Sequence, residues 1–186
     1  TRVWLKKFTD QSNLVAINTS GSLPASGWAL LLKYDTAYGP LPYHIEAEDL
    51  KNPKEVNDSD PLIGYLNITT DSNKFRIPLL AQKDPAKIPW GNYSVEVVAE
   101  CTGIFTTQEL AGQHLKSGVK HVVISAPAKG GDVPTVVLGV NDQILKEHHN
   151  VISVLSNASC TTNSVAPVAA IMHAKIGIKK AMLMTV

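Results

Sequence analysis

Cysteine is scarce in this 186-residue chain and net charge is close to nil. Cys101 and Cys160 lie far apart and form no C-x-x-C pair, which argues against a disulfide framework or a cysteine zinc site and suits a reducing, cytoplasmic setting. The six histidines are scattered without metal-ligand spacing, so no metal is expected. A formal net charge of +1 gives no electrostatic reason to expect nucleic acid or a membrane surface as partner. No secretory or transmembrane segment is visible, although a chain that opens without Met, inside a helix-like pattern, carries little weight on that point. Repeats, heptads and low-complexity tracts are missing too. Five N-x-S/T triplets, at Asn18, Asn57, Asn67, Asn92 and Asn157, read as chance. What remains is a soluble-type composition, 44% hydrophobic and 18% charged, long enough to bury a real core.

The most informative stretch is 151–178. Val151, Ile152, Val154 and Leu155 form a short β-branched run suited to a buried strand, and Ser156, Asn157 and Ser159 are turn and cap formers. Val165, Val168, Ala169, Met172 and Ile176 then recur at the spacing of one helical face, with Gly177 suited to the helix end. With Ser159 as N-cap, Cys160 falls in the first turn, where free N–H groups and the helix dipole favour an anion. Such a position can pull a thiol well below its free pKa of about 8.5, and the thiolate is the nucleophilic form. The same N–H groups can stabilise an oxyanion formed by attack on a carbonyl, and Ser159, Thr161 and Thr162 add hydroxyls that can hold a phosphate. Taken alone, a cysteine at such a turn is more simply a small buried hydrophobe.

The rest of the chain alternates strands and helices, implying βαβ units and a parallel sheet. Residues 1–8 read as the tail of an amphipathic helix, 13–18 as a buried strand, and 19–22 as the loop off its C-terminal edge, where ligands bind in open α/β sheets. A helix over 27–34 and strands over 43–48 and 75–80 follow. Residues 50–71, rich in Asn, Asp, Pro and Lys, read as a solvated surface excursion or hairpin. Strands are expected at 95–100, 121–125, 135–140 and 151–155, a helix at 107–116, and the start of another strand at 182–186. Cys101 is assigned to packing, and His114, His121, His148 and His149 to surface or core filling. His173 stands on the Cys160 helix but roughly 20 Å along it at about 1.5 Å per residue, too far to be its base.

Ser-Asn-Ala-Ser-Cys-Thr-Thr-Asn at 156–163, followed by an alanine-proline helix, closely resembles the active-site signature of phosphorylating glyceraldehyde-3-phosphate dehydrogenases. The resemblance extends through Val-Ala-Ile-Asn at 15–18, Lys-Tyr-Asp-Thr at 33–36, Asp-Pro-x-x-Ile-x-Trp at 84–90, Glu-Cys-Thr-Gly-Ile-Phe-Thr-Thr at 100–107, Ile-Ser-Ala-Pro at 124–127 and Leu-Gly-Val-Asn at 138–141. It implies an α/β fold: an incomplete Rossmann-type, doubly wound, mostly parallel sheet, followed by the first helix of an α+β catalytic domain. The implied domains are a NAD(P)-binding domain over 1–158, lacking its first strand, and the start of the catalytic domain over 159–186. It implies further that Cys160 attacks the aldehyde of glyceraldehyde 3-phosphate in glycolysis, giving a thiohemiacetal and then a thioester that inorganic phosphate cleaves. Ser159 and Thr161 match positions bordering the substrate and phosphate. Asn18, Thr19, Lys83, Thr102 and Ser125 match cofactor-lining positions, although each by itself reads as a polar cap or turn residue. The family works as a homotetramer.

Three departures qualify the resemblance. The family's glycine-rich phosphate fingerprint would lie before Thr1, and its catalytic histidine falls on the residue immediately after Val186. The chain is therefore expected to be a fragment, inactive by itself and poorly folded, because its sheet lacks an interior strand. Thr19 stands where NAD-selective members carry an acidic residue. With Ser20 and Ser22 it can donate hydrogen bonds to a 2′-phosphate, so NAD or NADP is expected as cofactor, with NADP tolerated. Erythrose-4-phosphate dehydrogenase, a catalytically dead nucleotide-binding homologue and a thiol hydrolase remain as alternatives.

Overall fold

A computed structural model describes residues 1–148 and 151–184. His149, assigned above to filling, and the last two residues of the strand expected at 182–186 lie outside the described residues. The chain divides into two compact units, Thr1–Val95 and Glu96–Val186.

The first unit contains helix α1 (Arg2–Lys7), strand β1 (Ile17–Asn18), helix α2 (Ala25–Lys33) and strands β2 (His44–Asp49), β3 (Leu62–Thr69) and β4 (Lys74–Leu80). Its sheet runs β1-β4-β3-β2, with β1 parallel to β4 and the other pairs antiparallel. Ile63, Leu66 and Ile68 from β3 and Ile77 and Leu79 from β4 pack with Leu5, Ala25, Ala29, Leu32 and Leu41 into one core. Removing these side chains from water is the main force holding helices to sheet. Arg2 donates from Nη1 to Leu32 O (2.6 Å) and from Nη2 to Gly39 O (2.5 Å), placing a cation at the negative end of α2.

Two expectations fail in this unit. The excursion at 50–71 is not a solvated insertion, because its second half is β3, paired on both sides and carrying the core. A β-bulge between Leu62 and Gly64 shifts the register, so Ile63 and Gly64 are both buried before alternation resumes, and the break in period hid the strand. A Cβ on Gly64 would lie 2.2 Å from Glu48 O and 2.9 Å from Ala25 Cβ, so this close approach of β2, β3 and α2 requires glycine. The strand expected at 13–18 shrinks to two residues, since β4 offers partners only to Ile17 and Asn18 and Val15 is 38% exposed.

The second unit contains β5 (Val97–Glu100), α3 (Gln108–Ala111), β6 (His121–Ile124), α4 (Gln143–His148), β7 (Val154–Ser156) and α5 (Cys160–Ile176). Its sheet is β5-β6-β7, all parallel. Thr107 caps α3, its hydroxyl accepting from Leu110 N at 3.2 Å, and the helix expected over 107–116 tightens to a 3₁₀ turn over Gly112–Ser117. The strand expected at 135–140 shrinks to a single parallel bridge of Thr135 to Ser156, with Val136 N donating to Ser156 O (2.8 Å) and Ser156 N to Pro134 O (2.9 Å). Asn141 Oδ1 accepts from Val137 N (2.7 Å) and its Nδ2 donates to Thr135 O (3.0 Å), so a side chain takes the backbone groups a ladder would use. Met182, Leu183 and Met184 lie in no strand and are exposed.

Both units are thus α/β with parallel strand pairs, the class expected of a Rossmann-type domain. Among the described residues no helix is long and apolar enough to cross a membrane.

Candidate active site

The turn from β7 into α5 is locked by its own small side chains. Ser156 is fully buried; its hydroxyl donates to Ala126 O (2.6 Å) and accepts from Ala158 N (3.0 Å). Ala158 is buried at φ 61°, a left-handed conformation that costs a non-glycine residue about 1–2 kcal/mol and that the surrounding hydrogen bonds must hold. Ser159 is the N-cap: its Oγ accepts from Thr162 N (2.9 Å) and shares a hydrogen bond with Thr162 Oγ1 (2.8 Å). Asn163 Nδ2 ties back to Asn157 O (2.7 Å) and Ser159 O (3.0 Å).

Cys160 follows as the first residue of a 17-residue helix with no acidic side chain in its first turn. Its thiol is free and exposed, and Thr161 beside it is exposed as well. The N–H groups of Cys160 and Thr161 belong to the first turn, which no carbonyl within the helix can satisfy. An exposed nucleophile beside such donors suits attack on a carbonyl, because the oxygen's developing charge meets groups already in place. His173 lies at the far end of α5, where its Nδ1 accepts from Ile178 N (3.3 Å) and closes the helix.

The polar residues expected at the cofactor edge fall into two groups. In the first unit Asn18 ends β1 and its amide brackets Gln82, donating to Gln82 O (2.9 Å) and accepting from Gln82 N (3.0 Å). The loops leaving β1 and β4 are thereby pinned side by side, with Lys83 exposed on the second. Thr19 is buried; its hydroxyl donates to Leu80 O (3.0 Å) and accepts from Gly21 N (3.2 Å). Its proton is therefore committed, which corrects the expectation that it donates to a 2′-phosphate. Ser20 donates to Ser22 Oγ (2.9 Å), so the Ser22 hydroxyl proton and the Lys83 ammonium are among the donors these loops present. That donor set fits a ligand rich in hydroxyls and phosphates.

In the second unit Thr102, Ser125 and the 159–161 turn follow the C-terminal ends of three adjacent parallel strands. Ser125 is exposed, and its N–H donates to Glu100 O at 2.9 Å. Thr102 donates to Glu100 Oε1 from both its backbone N (2.7 Å) and its Oγ1 (2.5 Å), and Glu100 Oε2 faces His114 Nε2 at 3.0 Å. Burial pushes the Glu100 carboxyl up, but the hydrogen bonds from His114 and Thr102 together outweigh it and hold the group below its ordinary value. Sequence reasoning missed this pair, treating His114 as filler; a glutamate closing an apolar strand at 97–100 was the available signal. Cys101 is exposed rather than packed.

Residues 1–108 match the family model described as glyceraldehyde 3-phosphate dehydrogenase, NAD binding domain. The chain belongs to the glyceraldehyde 3-phosphate dehydrogenase family. It is similar to the plasmid-borne glyceraldehyde-3-phosphate dehydrogenase of Cupriavidus necator, 41% identical over 93% of this chain and 45% of that protein. Glyceraldehyde-3-phosphate dehydrogenase 1 of Bacillus cereus is 42% identical over 93% of this chain and 45% of its own length. The chloroplastic glyceraldehyde-3-phosphate dehydrogenase B of Pisum sativum is 35% identical over 99% of this chain and 36% of its own length. The chain thus spans about half the length, or less, of the curated relatives it matches.

Proposed function

We propose that the complete protein carrying this chain is a phosphorylating aldehyde dehydrogenase acting on glyceraldehyde 3-phosphate, with Cys160 as its nucleophile. The observation that carries this reading is the exposed Cys160 thiol on the first turn of a helix capped by Ser159. The Cys160 thiolate forms a bond to the aldehyde carbon while the carbonyl π pair moves to oxygen, where first-turn N–H groups stabilise it. Thr161, and the proton shared by Ser159 and Thr162, border the substrate phosphate. A bound nicotinamide cofactor supplies the hydride acceptor. Inorganic phosphate then attacks the resulting acyl carbon, the C–S bond breaks, and its electron pair returns to Cys160 as the acyl phosphate departs.

In this reading residues 1–158 hold the cofactor and 159–186 open the catalytic domain. In the first unit Asn18 and Thr19 shape the loops that carry Ser22 and Lys83, and in the second Thr102 and Ser125 follow their strand ends; each set contributes contacts to the cofactor. No carboxylate at position 19 repels a 2′-phosphate, so both NAD and NADP are accepted. The enzyme is a cytoplasmic homotetramer.

Replacing Cys160 with Ser in the complete protein tests the assignment. Turnover should fall by about three orders of magnitude or more, with NAD affinity retained. Substantial residual activity would sink it. Comparable kcat/KM for NAD and NADP supports dual use, and strong preference for NAD removes it.

A further inference from the structure

We infer that Glu100 and His114 are positioning residues that set the loop at 101–106 for cofactor binding. The inference rests on the dehydrogenase reading above. The two side chains are 4% and 3% exposed, and neither enters the chemistry proposed for Cys160. A carboxylate withdrawn from water must have its oxygens filled, and here the loop fills them. Oε1 receives both donors of Thr102, and Oε2 faces His114.

The arrangement extends in both directions along the loop. Thr102 Oγ1, having given its proton to Glu100, accepts from Ile104 N at 3.1 Å. The His114 ring meets Phe105 edge-on, with centroids 6.3 Å apart and planes at 87°. Thr106 O accepts from Lys129 N at 2.8 Å, and the main-chain carbonyl of Glu100 holds Ser125 N at 2.9 Å. One residue thus orients two positions of the cofactor edge, Thr102 through its carboxylate and Ser125 through its backbone. The Thr102 hydroxyl has no proton left for a ligand, so Thr102 acts through a backbone whose path Glu100 dictates.

A buried polar pair gives little stability compared with a well-packed apolar pair of the same volume. What an apolar pair cannot do is accept two hydrogen bonds from the following turn. This separates the positioning role from simple support of the fold.

The test uses the complete protein with three changes. In E100L/H114L the melting temperature should hold while KM for NAD rises about tenfold, as expected when hydrogen bonds to a charged acceptor are lost. kcat should change little, and the Thr102 and Ile104 amides should exchange faster with solvent. T102V, which keeps its N–H but loses the hydroxyl on an exposed loop, should move KM and exchange in the same direction by less. E100Q, which keeps an acceptor for Thr102, should stay near wild type. Unchanged KM for NAD in T102V and in the double variant overturns the inference, as does a loss of melting temperature with KM intact. If the double variant does not fold, T102V against E100Q decides alone. Wild-type protein that fails to bind NAD refutes the dehydrogenase reading, whereas Thr102 amide exchange slow in wild type and E100Q but fast in E100L/H114L still shows that Glu100 fastens the loop.

Discussion

In the first unit the loop leaving β1 is fastened by neutral groups, the Asn18 amide on Gln82 and the Thr19 hydroxyl on Leu80, and its charges stay at the rim. There Asp58 accepts from Lys87 Nζ (2.6 Å) and from Gln82 Nε2 (3.1 Å), with the Asp58 and Lys87 side chains both more than half exposed. In the second unit the loop leaving β5 is fastened by a carboxylate that is itself buried. The first unit can afford neutral bracing because β3 and β4 form a continuous apolar core beneath the loops. The second has a three-stranded sheet with Val98, Val122, Ile124 and Val154 buried in it and a long helix with no buried residue, and its loop is held by directional hydrogen bonds to one side chain. Neutral bracing is insensitive to pH and salt, whereas a buried carboxylate ties geometry to protonation.

The largest effect expected to break this contrast is Glu100→Ala. Removing the buried carboxylate leaves the Thr102 donors without their acceptor and the buried His114 ring without its partner, which should cost about 3 kcal/mol, measured by urea unfolding. A loss below about 1 kcal/mol, the value of an exposed pair, would place Glu100 with the rim charges of the first unit. Next comes Gly64→Ala, which forces a methyl against Glu48 O and should cost about 3 kcal/mol. A fully stable variant would show that the close approach of β2, β3 and α2 relaxes freely. Thr19→Val leaves Leu80 O without its hydroxyl donor and should cost about 1–2 kcal/mol, readable in the same unfolding experiment.

The smallest effect is the pH dependence that separates the two loops. Because the Glu100 carboxyl titrates below its ordinary value when folded, its contribution is fully present above about pH 4.3, the unperturbed glutamate value. It disappears as pH falls through the folded-state value. Wild type should therefore lose stability relative to Glu100→Gln below about pH 4.3, while Asn18→Ala should track wild type across the same range. Parallel wild-type and Glu100→Gln profiles would remove charge from the account of this loop.

Features that depend on neighbours in sequence were legible before any coordinates. The Ser159 cap, the cysteine on the first turn and the Thr107 cap each need only residues within one helical turn. The strand β3 was not legible, because a bulge at Gly64 broke the alternation and polar residues at 51–60 masked the apolar run behind them. The strand expected at 135–140 had the right side chains, but the Asn141 amide captured the backbone. The Glu100–His114 pair joins residues fourteen apart on different elements, so no local pattern announces it.

The sequence by itself determined the alternation of strands and helices, the family resemblance and the placement of Cys160 at a helix start. All three follow from local propensity, capping chemistry and a short motif. Only the tertiary structure decided that Thr19 spends its proton on Leu80, that Thr102 spends its own on Glu100, and that β3 lies within the core. A hydroxyl's partner and a strand's burial depend on which distant segment folds against it, and that is fixed when the apolar surfaces of non-adjacent segments leave water together.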